Sequence, residues 1–263
     1  MSYYFPFGEI VRKLEQIDRS PKQVFILGVY ASAVHAKWVR DGQTICQALA
    51  VASEPYIFWD GNIAEAQSII DRISVPSEVG KLILPNKNLN GPSSKVLTEN
   101  ILKPLGLSRK EAWLCDLLPE SRLNPSQKRV IDNKYKPLID KYGLNEVTVP
   151  IEDGRFCNDD RRAEIINEII SSKAETLVLL GDMPISQFLS REYDIDFKNL
   201  NEYTCKYSYG KPVFVQIMGH RINVIPIAHP RQIGGLGYSS EFWKNEHQKW
   251  EQCRYSLNKR EKE

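Results

Sequence analysis

The residues of this chain that could do chemistry collect where apolar runs end. "QVFILG" closes at Gly28 and passes into Tyr30, Ser32 and His35, while "AWLCDLLP" carries Asp116 near its close. "TLVLLG" closes at Gly181 before Asp182, and "INVIPIAHP" delivers His229. A carboxylate accepts hydrogen bonds, a hydroxyl both donates and accepts, and an imidazole changes its proton count close to neutral pH. Glycine at the end of a run lets the backbone turn or approach a ligand without a Cβ in the way. Asp182, with Pro184 two residues on, has the pattern of a helix start and reads as a capping residue.

The elements that would position these groups follow from the same runs. Four of them, at Gln23 to Gly28, Ala112 to Pro119, Thr176 to Gly181 and Ile222 to Pro230, are strand-length and apolar without alternation. That pattern suits parallel strands covered on both faces. Helical patterns lie between them. "NIAEAQSIIDRI" starts with Asn62 and Glu65 at capping-box spacing and puts Ile63, Ala66, Ile70 and Ile73 on one face. "DDRRAEIINEIISS" repeats the logic with Ile165, Ile166, Ile169 and Ile170, and "SSEFWKNEHQKWEQCRY" reads as a closing helix that buries Phe242, Trp243 and Trp250. "PVFVQIMGHRINVIPI" predicts a hairpin with Gly219 and His220 at its turn, and "NPSQKRVIDNKYKPLIDKYG" predicts a basic helical insertion. Strands alternating with helices imply an α/β layered fold. In open parallel sheets ligands bind beyond the carboxyl ends of the strands, so the polar groups named above are expected at one edge, as a site. Ser32, His35 and Lys37 are expected in the loop after the first strand.

Composition sets the frame. At 263 residues, 42% hydrophobic and 26% charged, the chain can bury a full core as one domain, residues 1–263. It has no run of some 18 uncharged apolar residues, and "MSYYFPFGEIVRK" lacks the order of a signal peptide, so the expectation is a cytoplasmic protein without membrane attachment, acting as a monomer. Five scattered cysteines without a Cys-x-x-Cys pair argue against a disulfide framework, a zinc ribbon or an iron–sulfur cluster. Neither metal nor cofactor is expected: there is no Gly-x-x-x-x-Gly-Lys-(Ser/Thr) loop, and "GGLG" lacks dinucleotide spacing. A net charge of +2 leaves any basic patch to local arrangement.

In the order and character of these run ends the chain resembles the uracil-DNA glycosylase superfamily. There a first strand ends in Gly-x-(Asp, Asn or Glu)-Pro and a late strand in His-Pro-Ser, where this chain has "GVYAS" and "AHPRQ". "LVLLGDMP" and "WLCDLLP" match two further strand ends, and the resemblance spans Val24 to Trp250 as short separated matches. It implies a three-layer α/β/α sandwich around a four-stranded parallel sheet. The implied activity is hydrolysis of the N-glycosidic bond of a damaged or modified base, flipped out of single- or double-stranded DNA. His229 then takes the role of donor to the departing base. Arg231 would clasp phosphate, and Ile233 or Leu236, among glycines, would fill the hole the base leaves. Asp116 stands near a base-reading Asn, and Gly28, Tyr30 and Ser32 line the expected base pocket. Tyr56, Phe58 and Trp59 are aromatic residues able to stack on a base.

The chain departs from the pattern where it matters. The acid that orients the attacking water is replaced by Tyr30 and its proline by Ala31, and a neutral phenol is a poor base at pH 7. Another group, His35 or Asp116, would have to prepare the water. Otherwise the protein binds nucleic acid or a base without cleaving it. A small-molecule hydrolase with Ser32 as nucleophile and His229 as base is a third reading, without a Gly-x-Ser-x-Gly motif behind it.

Overall fold

The computed structural model describes residues 2–86, 89–235 and 241–260. Among the described residues eight strands are formed: β1 (Val24–Tyr30), β2 (Ala33–Arg40), β3 (Gln43–Ser53), β4 (Lys81–Ile83), β5 (Ala112–Leu118), β6 (Thr176–Leu180), β7 (Val213–Ile217) and β8 (His220–Ile227). They build a five-stranded sheet in the order β5-β1-β6-β8-β7 and a three-stranded sheet in the order β3-β2-β4. By their internal contacts the residues fall into two compact units. Unit one holds Met1–Leu14, Tyr30–Pro92 and Pro119–Gly154, and unit two holds Glu15–Val29, Ser93–Leu118 and Arg155–Glu263.

In unit two the four apolar runs become β1, β5, β6 and β8, consecutive neighbours in one α/β sheet. β1 runs parallel to β6 from Val24↔Thr176 to Leu27↔Leu179, and β6 parallel to β8 from Thr176↔Asn223 to Leu180↔Ile227. Gln23 N–H donates to Glu111 O at 2.9 Å, so β5 and β1 start at the same edge and run the same way. A fifth strand, β7, pairs antiparallel with β8 at the margin as the expected hairpin, which makes the sheet mixed and five-stranded where the resemblance implies four parallel strands. Its hairpin turns on Met218 (φ 48°) and Gly219 (φ 82°), two left-handed residues as a tight two-residue turn demands. His220 is already the first residue of β8 and pairs with Ile217, one place beyond the turn expected for it. The helix Asp159–Ser172 buries Ile165 and Ile169 of its four isoleucines. In the closing helix Glu241–Arg260, Trp250 is buried while Phe242 is 55% exposed, against expectation.

Unit one contains a sheet the sequence reading passes over. Ala33–Arg40 and Gln43–Ser53 form an antiparallel hairpin, so His35 and Lys37 lie in a strand and not in a loop. Its turn is Asp41 (φ 50°) and Gly42 (φ 74°), an Asp-Gly pair flanked by strand-forming residues. Phe7, Trp38 and Tyr135 meet edge to face in its core, with centroids 5.1–6.3 Å apart. Tyr135 and Ile131 come from the predicted basic insertion, which is helical from Pro125–Val130 through Ile139–Tyr142. The helix Ile63–Asp71 is capped by Asn62 Oδ1, which accepts from Glu65 N at 3.1 Å. It buries Ala66, Ile69 and Ile70 and leaves Ile63 72% exposed. Among the described residues no helix is long and apolar enough to cross a membrane.

Candidate functional site

β8 ends at Ile227, and two residues later His229 caps a short helix, Pro230–Ile233. The cap is reciprocal. Arg231 N–H donates to His229 Nδ1 at 3.2 Å, and His229 N–H donates to Gln232 Oε1 at 3.2 Å. This is a capping box with an imidazole in the place of the usual hydroxyl, and Pro230 fits the first helical position. An imidazole nitrogen that accepts from a backbone N–H carries no proton, so the neutral ring holds its proton on Nε2. Burial and the nearby Arg231 charge together lower the His229 pKa to about 4. At pH 7 His229 is thus a neutral imidazole presenting Nε2–H as a donor, and Nε2 makes no hydrogen bond to the described residues.

Gly181 is what lets His229 sit there. It follows β6 directly with φ 87° and ψ −169°, and its N–H continues the ladder to Ile227 O at 2.8 Å. A Cβ on Gly181 would lie 3.1 Å from His229 Cβ, so the bare backbone is the floor under the histidine. Gly28 plays no such part: it lies buried inside β1, which continues through Val29 and Tyr30. The two similar run endings are therefore structurally unlike. Asp182 is structural, as expected, but on another helix: its Oδ1 accepts from Leu200 N at 2.8 Å, at the start of Leu200–Tyr207.

Asp116 is near the carboxyl end of β5 and only 4% exposed. Burial raises its pKa to about 7, against the opposing pull of the Arg161 guanidinium. A carboxyl at that value exists in both forms at neutral pH, so it can donate to a carbonyl or accept from an amine. Its strand is fixed by a residue that sequence reasoning missed. Arg161, buried on the helix Asp159–Ser172, donates to Leu117 O at 3.2 Å, Asp116 O at 2.8 Å and Cys115 Sγ at 3.0 Å. Glu164 at 2.8 Å and Glu168 at 3.1 Å balance its charge, and Glu168 also accepts from Trp113 Nε1 at 3.0 Å. One guanidinium fork thus holds the end of β5 at three successive residues. Since β1 and β6 separate β5 from β8, Asp116 and His229 stand three strand spacings apart, roughly 14 Å across the sheet.

The other sequence candidates each have partners of their own. Tyr30, Ser32 and His35 belong to unit one. Tyr30 O–H donates to Glu152 Oε2 at 2.9 Å, and Ser32 offers its carbonyl to Ser121 Oγ at 2.8 Å. His35 lies on β2 with its backbone bracketed by the Asn90 amide, at 2.8 and 3.1 Å, and burial lowers its ring pKa. Trp59 is wholly buried, with Nε1 donating to Glu65 at 2.6 Å, which makes it a core residue. Arg231 is exposed and acts on His229 through its charge and its N–H. Ile233 is 6% exposed and packs inward, so it is not the exposed wedge that its glycine neighbours suggest. Leu236, the other wedge candidate, lies outside the described residues.

A cavity of about 610 Å³ opens at the opposite edge of the five-stranded sheet, where Val24 and Thr176 begin their strands. Lys22, Lys173, Glu175 and Arg254 are among its lining residues, and neither His229 nor Asp116 reaches it. Among the described residues no group of three or more His, Cys, Asp or Glu side chains is placed to hold a metal ion. The chain matches no protein-family model and no curated protein sequence.

Proposed function

We propose that the protein is a DNA glycosylase of the uracil-DNA glycosylase type, acting on a damaged or modified base, with His229 as the donor to the departing base. The observation that carries this reading is the Arg231 N–H bond to His229 Nδ1, together with the depressed pKa of that ring. When the bond from C1′ to the base nitrogen breaks, its electron pair leaves with the base, and charge gathers on the base oxygen or ring nitrogen. A neutral Nε2–H held in a fixed direction stabilises that charge without first giving up a proton, and such a donor contributes roughly 2.7–4 kcal/mol. Water then supplies the hydroxyl to C1′, leaving an abasic sugar, and its remaining proton ends on the base. Asp116, poised near pH 7, reads the polar edge of the base in either protonation state. The base reaches these groups by leaving the stack, at a cost of a few kcal/mol. Support for the central sheet of such a fold comes from the four neighbouring parallel strands, and for the site from residues at their carboxyl ends.

The test is incubation of the whole chain with single- and double-stranded DNA carrying a panel of modified bases, scored as alkali-labile abasic sites, for wild type and His229→Ala. Abasic product that requires His229 is the expected result. Tight DNA binding without abasic product on any substrate would replace this reading with that of a non-cleaving binder. Tyr30 standing where the family has an acid gives that outcome its physical basis.

A further inference from the structure

A hydrogen-bond chain runs inward from the backbone beside His229. Ala228 N–H donates to the Tyr209 hydroxyl at 2.9 Å, that hydroxyl is 2.7 Å from His247 Nδ1, and His247 Nε2 is 2.8 Å from Asn100 O. The two ends fix every direction, because a backbone N–H only donates and a carbonyl only accepts. His247 therefore holds its proton on Nε2 and gives it to Asn100. Its Nδ1 accepts from Tyr209, whose oxygen accepts from Ala228. His247 is 0% exposed and burial lowers its pKa to about 4, so the neutral form the chain needs is the one present at pH 7. Glu251 Oε1 lies 3.7 Å from His247 Nε2, and burial raises the pKa of that carboxyl.

The hydroxyl at the centre of this chain is held from several sides. Tyr209 packs 6.0 Å from the Trp243 ring and edge-on at 5.7 Å from His247, and Trp250 lies 4.9 Å from His247. Residues 243, 247 and 250 are spaced four and three apart and so share one face of the closing helix. Gly210 has φ 69°, and a Cβ there would come within 2.4 Å of the Trp250 indole, so the tyrosine segment lies flat against that face. Ala228 follows Leu180↔Ile227, the final pair of the β6–β8 register, and its N–H goes to a side chain.

We infer that Tyr209 and His247 are positioning residues for His229. They anchor the Ile227–Ala228 peptide group, as Gln232 Oε1 anchors the Ala228–His229 one, and leave the imidazole one orientation, with Nδ1 on Arg231 N–H and the proton on Nε2. The inference rests on the reading of His229 as donor. Neither residue touches substrate, and their effect passes through a backbone amide.

The experiment uses the full chain labelled with ¹⁵N-histidine, whose four imidazoles are few enough to assign, His229 by comparison with His229→Gln. In wild type His229 is expected as the Nε2–H tautomer with its low titration midpoint. Tyr209→Phe keeps the ring and deletes the hydroxyl. It should give mixed His229 tautomers, a midpoint higher by one unit or more, and about a tenfold lower kcat at unchanged KM on a processed substrate. His247→Gln, which loosens the same hydroxyl without removing it, should show the same changes in smaller degree and serves if Tyr209→Phe fails to fold. A folded variant of either kind with lower thermal stability but the wild-type tautomer and midpoint would overturn the inference. Failure of the glycosylase reading looks different: the tautomer responds, yet the wild type forms no abasic sites.

Discussion

Arg231 N–H donates to His229 Nδ1 at 3.2 Å, and this one bond decides that Nε2 is the nitrogen of the neutral ring that carries the proton. A catalytic imidazole is usually discussed as a base, yet a ring whose pKa is lowered to about 4 is a weak one at pH 7 and a steady neutral donor. His229→Ala should therefore reduce turnover on a true substrate by about 10²–10³. Loss of the cap should cost only about 1 kcal/mol of stability. Turnover by wild type and variant on one substrate, with melts on both, checks the two numbers; full activity in His229→Ala would remove the histidine from the mechanism.

Arg231 also acts through its charge, which adds to burial in disfavouring the imidazolium. Arg231→Gln keeps the backbone donor and deletes the charge, so the His229 midpoint should rise from about 4 toward its ordinary value. The direction follows from the removal of like-charge repulsion. An NMR titration of the ring reads it, and an unmoved midpoint would leave burial as the sole cause.

The parallel strands are legible in the sequence because a strand buried on both faces has no polar residue to interrupt it, as in "TLVLLG" and "QVFILG". The β2–β3 hairpin is harder to see. Its inward residues Val34, Ala36 and Trp38 are interleaved with His35 and Lys37, and its clearest mark is the Asp41-Gly42 turn. The capping box at His229 was written in "HPRQ", with a glutamine at the third helical position, but histidine stands where a hydroxyl is expected. Arg161 and His247 could not be placed from sequence: their partners Cys115 and Asn100 are 46 and 147 residues away. Ile233 misleads for the opposite reason, since its glycine neighbours suggest an exposed mount while the short helix turns it inward.

Gly181→Ala tests the floor beneath His229. With φ 87° and ψ −169°, position 181 occupies a region that only glycine enters freely, and the new methyl would meet His229 Cβ at 3.1 Å. The expected cost is about 1–3 kcal/mol of stability. Turnover should fall as well, because the imidazole must shift by a few tenths of an ångström to clear the methyl. A variant that melts like wild type would show that position 181 accepts a side chain and is no constraint on His229.

Asp116→Asn separates the buried carboxyl from everything else that titrates. The folded pKa of Asp116 is about 7 against an ordinary 3.8, so between those values the folded state holds more proton than the unfolded state. Stability from this group therefore falls as pH rises from about 4 to 7, and the penalty is fully present above 7. His247 works in the other sense. Its folded pKa of about 4 means that its contribution is complete above 6.5 and is lost as pH falls toward 4. Because wild type and Asp116→Asn share His247, its effect cancels in their difference. What remains should be an advantage of the asparagine variant that grows from pH 5 to pH 8 and then levels off, at most a few kcal/mol. Paired melts across that range measure it, and a difference that stays constant with pH would mean that Asp116 titrates as an ordinary carboxyl. If Asp116 also reads the base, the inflection near pH 7 in wild-type kcat/KM should vanish in the variant.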